Sequence, residues 1–546
     1  MKKWNILSEY KEGDIVNQLI LNRGVTDVET FLNPPAINEA FKSFSTEFKE
    51  SLKNGAQLVH KFIAENKAII IHGDYDADGI CSTAILYNIL KTEFGYDKVF
   101  SFIPNRFEHG YGVSKKSVDT VLEQVTAAGV NIDEVLFITV DSGITANVEV
   151  DYIKSLGHKV IITDHHQPPE PLPTADVIIW SDKLVGAGIA WVFGRALGSK
   201  DVKSIALAAL ATITDLQPVL DFNRSLVKRG LEVINSDPPI GLAKLLDVSA
   251  RRSGEVTTYD LGWVIGPRLN ATGRLIDASE SLKLLVEKNA EKVAEIAHKL
   301  NDVNVTRQDK TLEMYAFASG IDPDNLTKII ISASENYHEG ISGLVAAKLV
   351  QKFFRPSIVI SLNDGYGKGS VRSVRGVNII SLLRNFENLF DSLGGHPMAA
   401  GFTIKKENIP VLEEKLLALA QTEISDDLLC ESLNVDIKIP INLIDMELLN
   451  SIDKLKPFGL GNEEPVFMSD NVGLMDITLM GKEKQHVSLK LYKQNKYYKA
   501  ILFSGAELVK DLAMGDKLDV VYTIKRNNYN GNESIDLMLK DFKRSV

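Results

Sequence analysis

Cysteine is almost missing from this chain: 546 residues contain two, Cys81 and Cys430. Two thiols build no disulfide framework, and a reducing cytoplasm is the simplest compartment for such a composition. Positive charge is short as well, with a formal net charge of −11. Overall charge therefore does not suggest a nucleic-acid partner, which would have to meet a local basic surface. No apolar run approaches the roughly 18 residues of a membrane span, so no membrane association is expected. The first ten residues carry two lysines but no apolar core segment, which argues against a signal peptide.

Hydrophobic residues make up 45% and charged residues 24%, the balance of a folded protein with room for three or four domains. One stretch organises the rest. Ala68 to Ile71 has the length and β-branching of a buried parallel strand, and it runs straight into His72, Asp74, Asp76 and Asp78 with Gly73 and Gly79 between them. A helical pattern follows through Ile80, Ala84, Ile85 and Ile89. Three carboxylates and an imidazole this close repel one another unless a cation or a positive substrate joins them; a solvated acidic turn is the bland alternative. Asp74, Asp76, Asp78 and Gly79 imitate the first half of an EF-hand loop, but position 12 is Ile85 and a strand precedes the loop, which excludes that motif.

Two further apolar runs end in the same way. Val135–Val140 leads into Asp141, and 158–163 leads into Asp164, His165 and His166. Alternating strands and helices predict a parallel sheet with right-handed crossovers, in which strand ends share one rim and these clusters can converge. Val99–Pro104 reads as another strand, followed by a polar loop holding Arg106, His109 and Tyr111. An alanine-rich helix over 201–216 ends at Asp215, where an acid opposes the helix dipole and is a candidate fourth contributor. The pattern over 222–310 is helical, with Gly266–Arg274 as an interruption and 281–318 as one long connecting helix. A second α/β unit starts near 327; its glycine-rich segments, Gly365–Ser370 and Gly394–Gly395, fit no Walker A motif and are either anion-approaching backbone or ordinary turns. From about 430, short strands predict a small barrel. Its segment 481–500 carries six lysines and one glutamate among Tyr492, Tyr497 and Tyr498, which suits single-stranded nucleic acid, or else a solvated basic hairpin.

Hard oxygen donors favour magnesium or manganese, and added imidazole tilts the choice toward manganese. Two such ions roughly 3.5–4 Å apart catalyse phosphoester hydrolysis. The Asp164-His165-His166 and His72–Gly79 blocks resemble those of the DHH phosphoesterases. Asp141-Ser-Gly-Ile, Asp215, Arg268–Arg274, His338–Gly343, Gly369–Ser373, Gly394–Pro397 and Pro457–Phe467 are similar to those of the RecJ branch of that family, over roughly 45–545. Thr272 departs from the alanine of many relatives.

The residues themselves predict a helical N-terminal segment (1–45), and the resemblance implies an α/β protein with a DHH phosphoesterase lobe built on a parallel sheet (46–225), a helical connector (226–318), a DHH-associated α/β lobe (319–425) and a C-terminal OB-fold barrel (430–546). It implies a single-stranded-DNA-specific 5′→3′ exonuclease, hydrolysing phosphodiesters to 5′-mononucleotides in DNA repair and recombination. Two Mn²⁺ ions, with Mg²⁺ as the alternative, would be held by His72, Asp76, Asp78, Asp141, His165 and Asp215, with Asp141 bridging. Asp74 and Asp164 would orient neighbours, and His166 would contact the scissile phosphate. Arg268, Asn270, Arg274, Ser370, Arg372 and His396 would grip the strand, joined on the barrel by Lys490, Lys493 and Lys496. A cytoplasmic monomer is expected, with a single-strand-binding protein and a RecQ-type helicase as partners, although the chain stops after the barrel where some relatives carry a further domain. Two other readings remain: a short-oligonucleotide or cyclic-dinucleotide phosphodiesterase, and a DNA-binding adaptor with a decayed metal site.

Overall fold

The computed structural model describes residues 2–110, 112–251, 254–322, 326–529 and 532–545. They form two units, one of 42–217 with 226–430, the other of 1–41, 218–225 and 431–546.

The first unit is built on Ile69–His72, whose four side chains are all buried. Five parallel strands lie side by side in the order Val99–Phe102, Ile69–His72, Leu136–Val140, Lys159–Asp164 and Val177–Trp180. The last of these, behind the proline-rich loop, is a strand beyond those expected from the sequence. Since every strand points the same way, His72, Asp141 and Asp164 emerge on one rim. The helix Ala77–Tyr87 is buried from Ala77 to Leu86 rather than on one face. It packs chiefly on the helices Gly186–Ala196, Ile205–Thr214 and Ser279–Val286.

Two expectations for the connector need correcting. Gly266–Leu275 is itself a helix: Pro267 sits in its first turn, where a missing N–H costs nothing. The segment 281–318 is two helices, Ser279–Val286 and Ala290–Ala318. Between them Glu287 is extended, and Asn289 caps the second by accepting from Glu291 N and Lys292 N.

The second sheet of this unit runs Phe390–His396, Ala399–Lys405, Tyr366–Arg372, Ser357–Asn363, Ile330–Ser334, with only the last pair parallel. Gly365 sits in the turn before Tyr366–Arg372 with a φ of 82°, whereas Gly367 and Gly369 serve packing. A Cβ at Gly369 would meet the Phe402 ring at 2.1 Å, and one at Gly367 would meet Ile360 at 2.7 Å.

In the other unit, Phe467–Met480, His486–Lys493, Lys496–Leu502, Asn532–Arg544 and Lys517–Tyr529 close into a barrel through pairing of Phe467–Met480 with Lys517–Tyr529. The amino terminus is not purely helical: Lys3–Ile6 pairs in parallel with Ser432–Val435, more than 400 residues away. Arg224 is 2% exposed and donates to the carbonyls of Phe31, Leu455 and Lys456 at 2.7–3.0 Å. Asn462, itself fully buried, adds bonds to Leu455 O and Pro457 O, so it and Arg224 close a buried clasp at the start of the Pro457–Phe467 block. No helix among the described residues is long and apolar enough to cross a membrane.

Candidate active site

Asp76 caps the helix Ala77–Tyr87, its Oδ1 accepting from Asp78 N at 2.9 Å and Gly79 N at 3.1 Å. Asp78 is turned inward, where its two oxygens accept from Gly186 N and Ala187 N, both at 2.7 Å. The start of the helix Gly186–Ala196 thus holds this carboxylate with its dipole as well as its amides. Gly186 is needed there: a Cβ would lie 2.6 Å from that of Asp141. Asp141 adopts a left-handed φ of 57° directly after its strand.

His165 joins the three acids. Its Nε2 lies 3.0 Å from Asp141 Oδ1 and 3.6 Å from both Asp78 Oδ2 and Asp215 Oδ2. Three groups of donor atoms are close enough to share an ion: Asp74, Asp76 and Asp141; Asp78, His165 and Asp215; Asp141, His165 and His166. Asp141 is common to two of them. Asp74 Oδ1 is buried and accepts no hydrogen bond, and the buried Asp141 Oδ1 faces the His165 imidazole at 3.0 Å. A divalent ion is the ligand such atoms fit, because bare carboxylates at this depth are costly.

The electrostatics carry the same message. Burial, then the neighbouring Asp76, pushes the Asp78 carboxyl up to about 7. Burial, then Asp78 and Asp76, pushes Asp215 to about 8, and burial raises Asp141 and Asp74 far above the carboxylate range. Burial drives His165 down to about 4, leaving a neutral imidazole suited to a metal. His166 goes the other way. Burial lowers it, but the Asp164 carboxylate, 2.7 Å from Nδ1, outweighs that and lifts it to about 9. Asp164 also accepts from the amides of Ile144, His165 and His166, and it stays ionised despite burial.

His72 stands apart from these groups. Its Nε2 meets Ser117 Oγ at 2.9 Å, while Nδ1 is buried without a partner. Ser117 is the capping-box residue of the helix Lys115–Ala127, a contact that no local motif discloses.

Among the residues expected to bind phosphate, Asn270 accepts through Oδ1 from Ala77 N at 2.7 Å, so it braces the acidic loop. Gly273 lets its helix touch that loop, since a Cβ would lie 2.5 Å from Tyr75 O. Arg274 donates to Gly340 O, and Arg372 sits beside Gly343, where a Cβ would come within 3.2 Å of Nη2. His396 and His166 line one cavity of about 500 Å³ with Ser142, Gly143 and Asp164. Ser370 lies in the strand Tyr366–Arg372, two residues from Arg372. Arg106 is an addition to the motif residues: its guanidinium lies 5.4 Å from the Tyr75 ring centre, and its charge, after burial, lowers those of Arg274 and Arg372. Its position just after a strand end was the available signal; Tyr111 of the same loop lies outside the described residues.

In the barrel, Lys490 Nζ lies 4.8 Å from the Tyr497 ring centre, and Lys490 and Lys496 border one groove. Lys493 instead donates to Asp470 O at 2.6 Å.

Residues 68–213 match the DHH family, N-terminal domain, 326–422 the DHHA1 domain and 435–541 the RecJ OB domain. The single-stranded-DNA-specific exonuclease RecJ of Bacillus subtilis is 32% identical over 90% of this chain, which spans 63% of that relative's length. The Haemophilus influenzae protein of the same name is 30% identical over 88% of each chain. A crystal structure of RecJ in complex with Mn²⁺ from Thermus thermophilus superposes over the whole chain and 80% of its own, with a TM-score of 0.84 and 26% identity.

Proposed function

The chain belongs to the RecJ family, and on that premise we propose that its acidic rim hydrolyses single-stranded DNA from the 5′ end to 5′-mononucleotides with two divalent ions, manganese preferred. It is a metal-dependent exonuclease specific for single strands. The observation that carries the mechanism is the convergence of five aspartates and His165 at one strand rim, with the buried Asp74 Oδ1 accepting no hydrogen bond. Asp76, Asp78, Asp141, His165 and Asp215 would hold the ions, with Asp141 shared. His72 would add a ligand through its free Nδ1. Bound there, divalent ions supply a nucleophilic water at neutral pH and Lewis-acid polarisation of the phosphoryl oxygens.

The chain's own groups do the remainder. Asp164 keeps His166 protonated, so an imidazolium stands beside the cavity and stabilises charge developing on the scissile phosphate. Arg106, Arg274 and Arg372 hold phosphate oxygens, with Ser370 and His396 alongside. Asn270 fixes the loop that presents Asp76 and Asp78. The barrel lysines Lys490 and Lys496 engage the strand further along. An enzyme confined to single strands needs a duplex-opening enzyme and coated strands upstream, which fits a RecQ-type helicase and a single-strand-binding protein as partners of a cytoplasmic monomer.

Incubating the protein with 5′- and 3′-labelled single and double strands, in Mn²⁺ and separately in Mg²⁺, tests this reading. Mononucleotides should appear from the 5′ label on single strands first. Equal attack on duplexes, or release confined to dinucleotides and cyclic dinucleotides, would sink it in favour of a small-substrate phosphodiesterase.

A further inference from the structure

The long helix Ala290–Ala318 brings an arginine to the phosphate side that none of the motif blocks contains. It packs against the helix Gly266–Leu275, which supplies Arg268 and Arg274. Arg307 Nη2 donates to Asn304 Oδ1 at 2.7 Å, and Arg307 Nε is buried with no partner. Two turns earlier, Asn301 Oδ1 accepts from Arg268 Nε at 3.2 Å. The helix therefore orients two guanidinium groups with neutral amides, which fixes the forks without cancelling their charge.

The same economy holds for the neighbours. Arg274 leans on Gly340 O, Arg268 on Val264 O and Arg372 on Val371 O, all uncharged acceptors. Among the described residues, no carboxylate lies within 4.0 Å of Arg106, Arg268, Arg274, Arg307 or Arg372, whereas Arg251 pairs with Asp260 at 3.1 Å. Burial, then Arg268, lowers the Arg307 guanidinium, and burial, then Arg106, Arg307 and Arg372, presses Arg274 down to about 10. Like charges held together in partly buried positions are repulsive until an anion lies among them.

We propose that Arg307 is a further substrate-binding residue, taking an internucleotide phosphate between those taken by Arg268 and Arg274. The proposal rests on the reading that this cleft receives a single strand. A guanidinium whose Nη2 is held by a neutral amide keeps its full charge and further N–H groups for phosphate oxygens, and an internucleotide phosphate is the repeating anion that a row of such groups can follow. A structural arginine would be explained by its Asn304 contact alone, and its loss would appear in stability rather than in salt dependence.

The test is anisotropy of a labelled single strand titrated with the full-length chain in EDTA, where hydrolysis is off, at several salt concentrations. Arg307→Gln should weaken binding about tenfold or more, the scale of a lost charge-assisted hydrogen bond. Its log–log salt slope should fall by about 0.7, the share of one neutralised phosphate on a single strand. In Mn²⁺, KM should rise while kcat at saturating strand holds, and the melting temperature should stay at the wild-type value. Unchanged affinity and slope would overturn the proposal, as would lower affinity at an unchanged slope. Should the glutamine variant fail to fold, Arg307→Lys goes through the same titration: losing the fork should cost affinity several-fold at a constant slope, and wild-type affinity would count against the assignment. A wild-type chain that binds no single strand would refute the parent reading instead.

Discussion

Asp141 and His165 face each other across 3.0 Å at the end of neighbouring parallel strands, with Asp78 and Asp215 each 3.6 Å from the same imidazole nitrogen. That pair is the hub of the site. Asp141 reaches toward Asp74 and Asp76 on one side and toward the two histidines on the other. Asp141→Ala should therefore abolish hydrolysis while circular dichroism stays native, and Asp74→Ala should cost less. Near-normal turnover of the Asp141 variant at saturating Mn²⁺ would contradict a shared bridging carboxylate.

His166 differs from His165 in charge. His166→Ala should leave Mn²⁺ affinity close to wild type by calorimetry while kcat drops by about 10²–10³, the scale of a lost electrostatic stabiliser. Asp164→Asn should reproduce part of that loss, because it removes the anion that keeps the imidazole protonated. An ion lost from the titration of the His166 variant would make it a ligand.

How far the sequence discloses this site depends on distance along the chain. Asp76, Asp78, Asp164, His165 and His166 lie in short blocks at strand ends, and parallel topology alone brings them together. The Ser117 contact of His72 is a different matter: it joins a strand to the capping box of a helix 45 residues on, and period carries no trace of it. Arg307 escapes for the same reason, as one polar residue in a 29-residue helix whose neighbours are set by packing. The amino-terminal strand Lys3–Ile6 has its partner at Ser432–Val435, so its local sequence could not distinguish strand from loop. Gly266–Arg274 misleads because Gly-Pro reads as a break, although proline is at home in a first helical turn.

Without metal, acidity should stabilise the protein. Asp78 and Asp215, with folded values of about 7 and 8 against an ordinary 3.8, bind more protons folded than unfolded, so stability falls as pH rises through that interval. His165, lowered to about 4, opposes this only below its ordinary 6.5, and His166, raised to about 9, adds to the loss above it. The unopposed window is pH 6.5 to 9. Melting temperatures in EDTA should decline across it, and saturating Mn²⁺ should remove most of the decline. A flat EDTA profile would mean that these carboxylates do not titrate together.

In the barrel unit, Arg224 closes a clasp made of carbonyl oxygens from Phe31, Leu455 and Lys456. Arg224→Met should destabilise by about 3–5 kcal/mol in urea titration, since it strands several buried acceptors at once. Catalysis per folded molecule on a dinucleotide should be unaffected. A loss below about 1 kcal/mol would mean that water enters and satisfies the carbonyls.

The last prediction separates lysines that the sequence treats alike. Lys490 lies over the Tyr497 ring and borders a groove with Lys496, whereas Lys493 is spent on Asp470, through its carbonyl at 2.6 Å and its carboxylate at 3.7 Å. Removing residues 430–546 would be a poor test, because it would also strip Lys3–Ile6 of its strand partner. Single substitutions are cleaner. Lys490→Gln should reduce the log–log salt slope of single-strand binding by about 0.7, and Lys493→Gln should leave it alone. Tyr497→Ala should weaken binding without touching the slope, since a stacked base is lost but no phosphate is released. If Lys490→Gln and Lys493→Gln behaved identically, the groove would not lie on the strand's path, and the basic segment 481–500 would be an ordinary solvated hairpin.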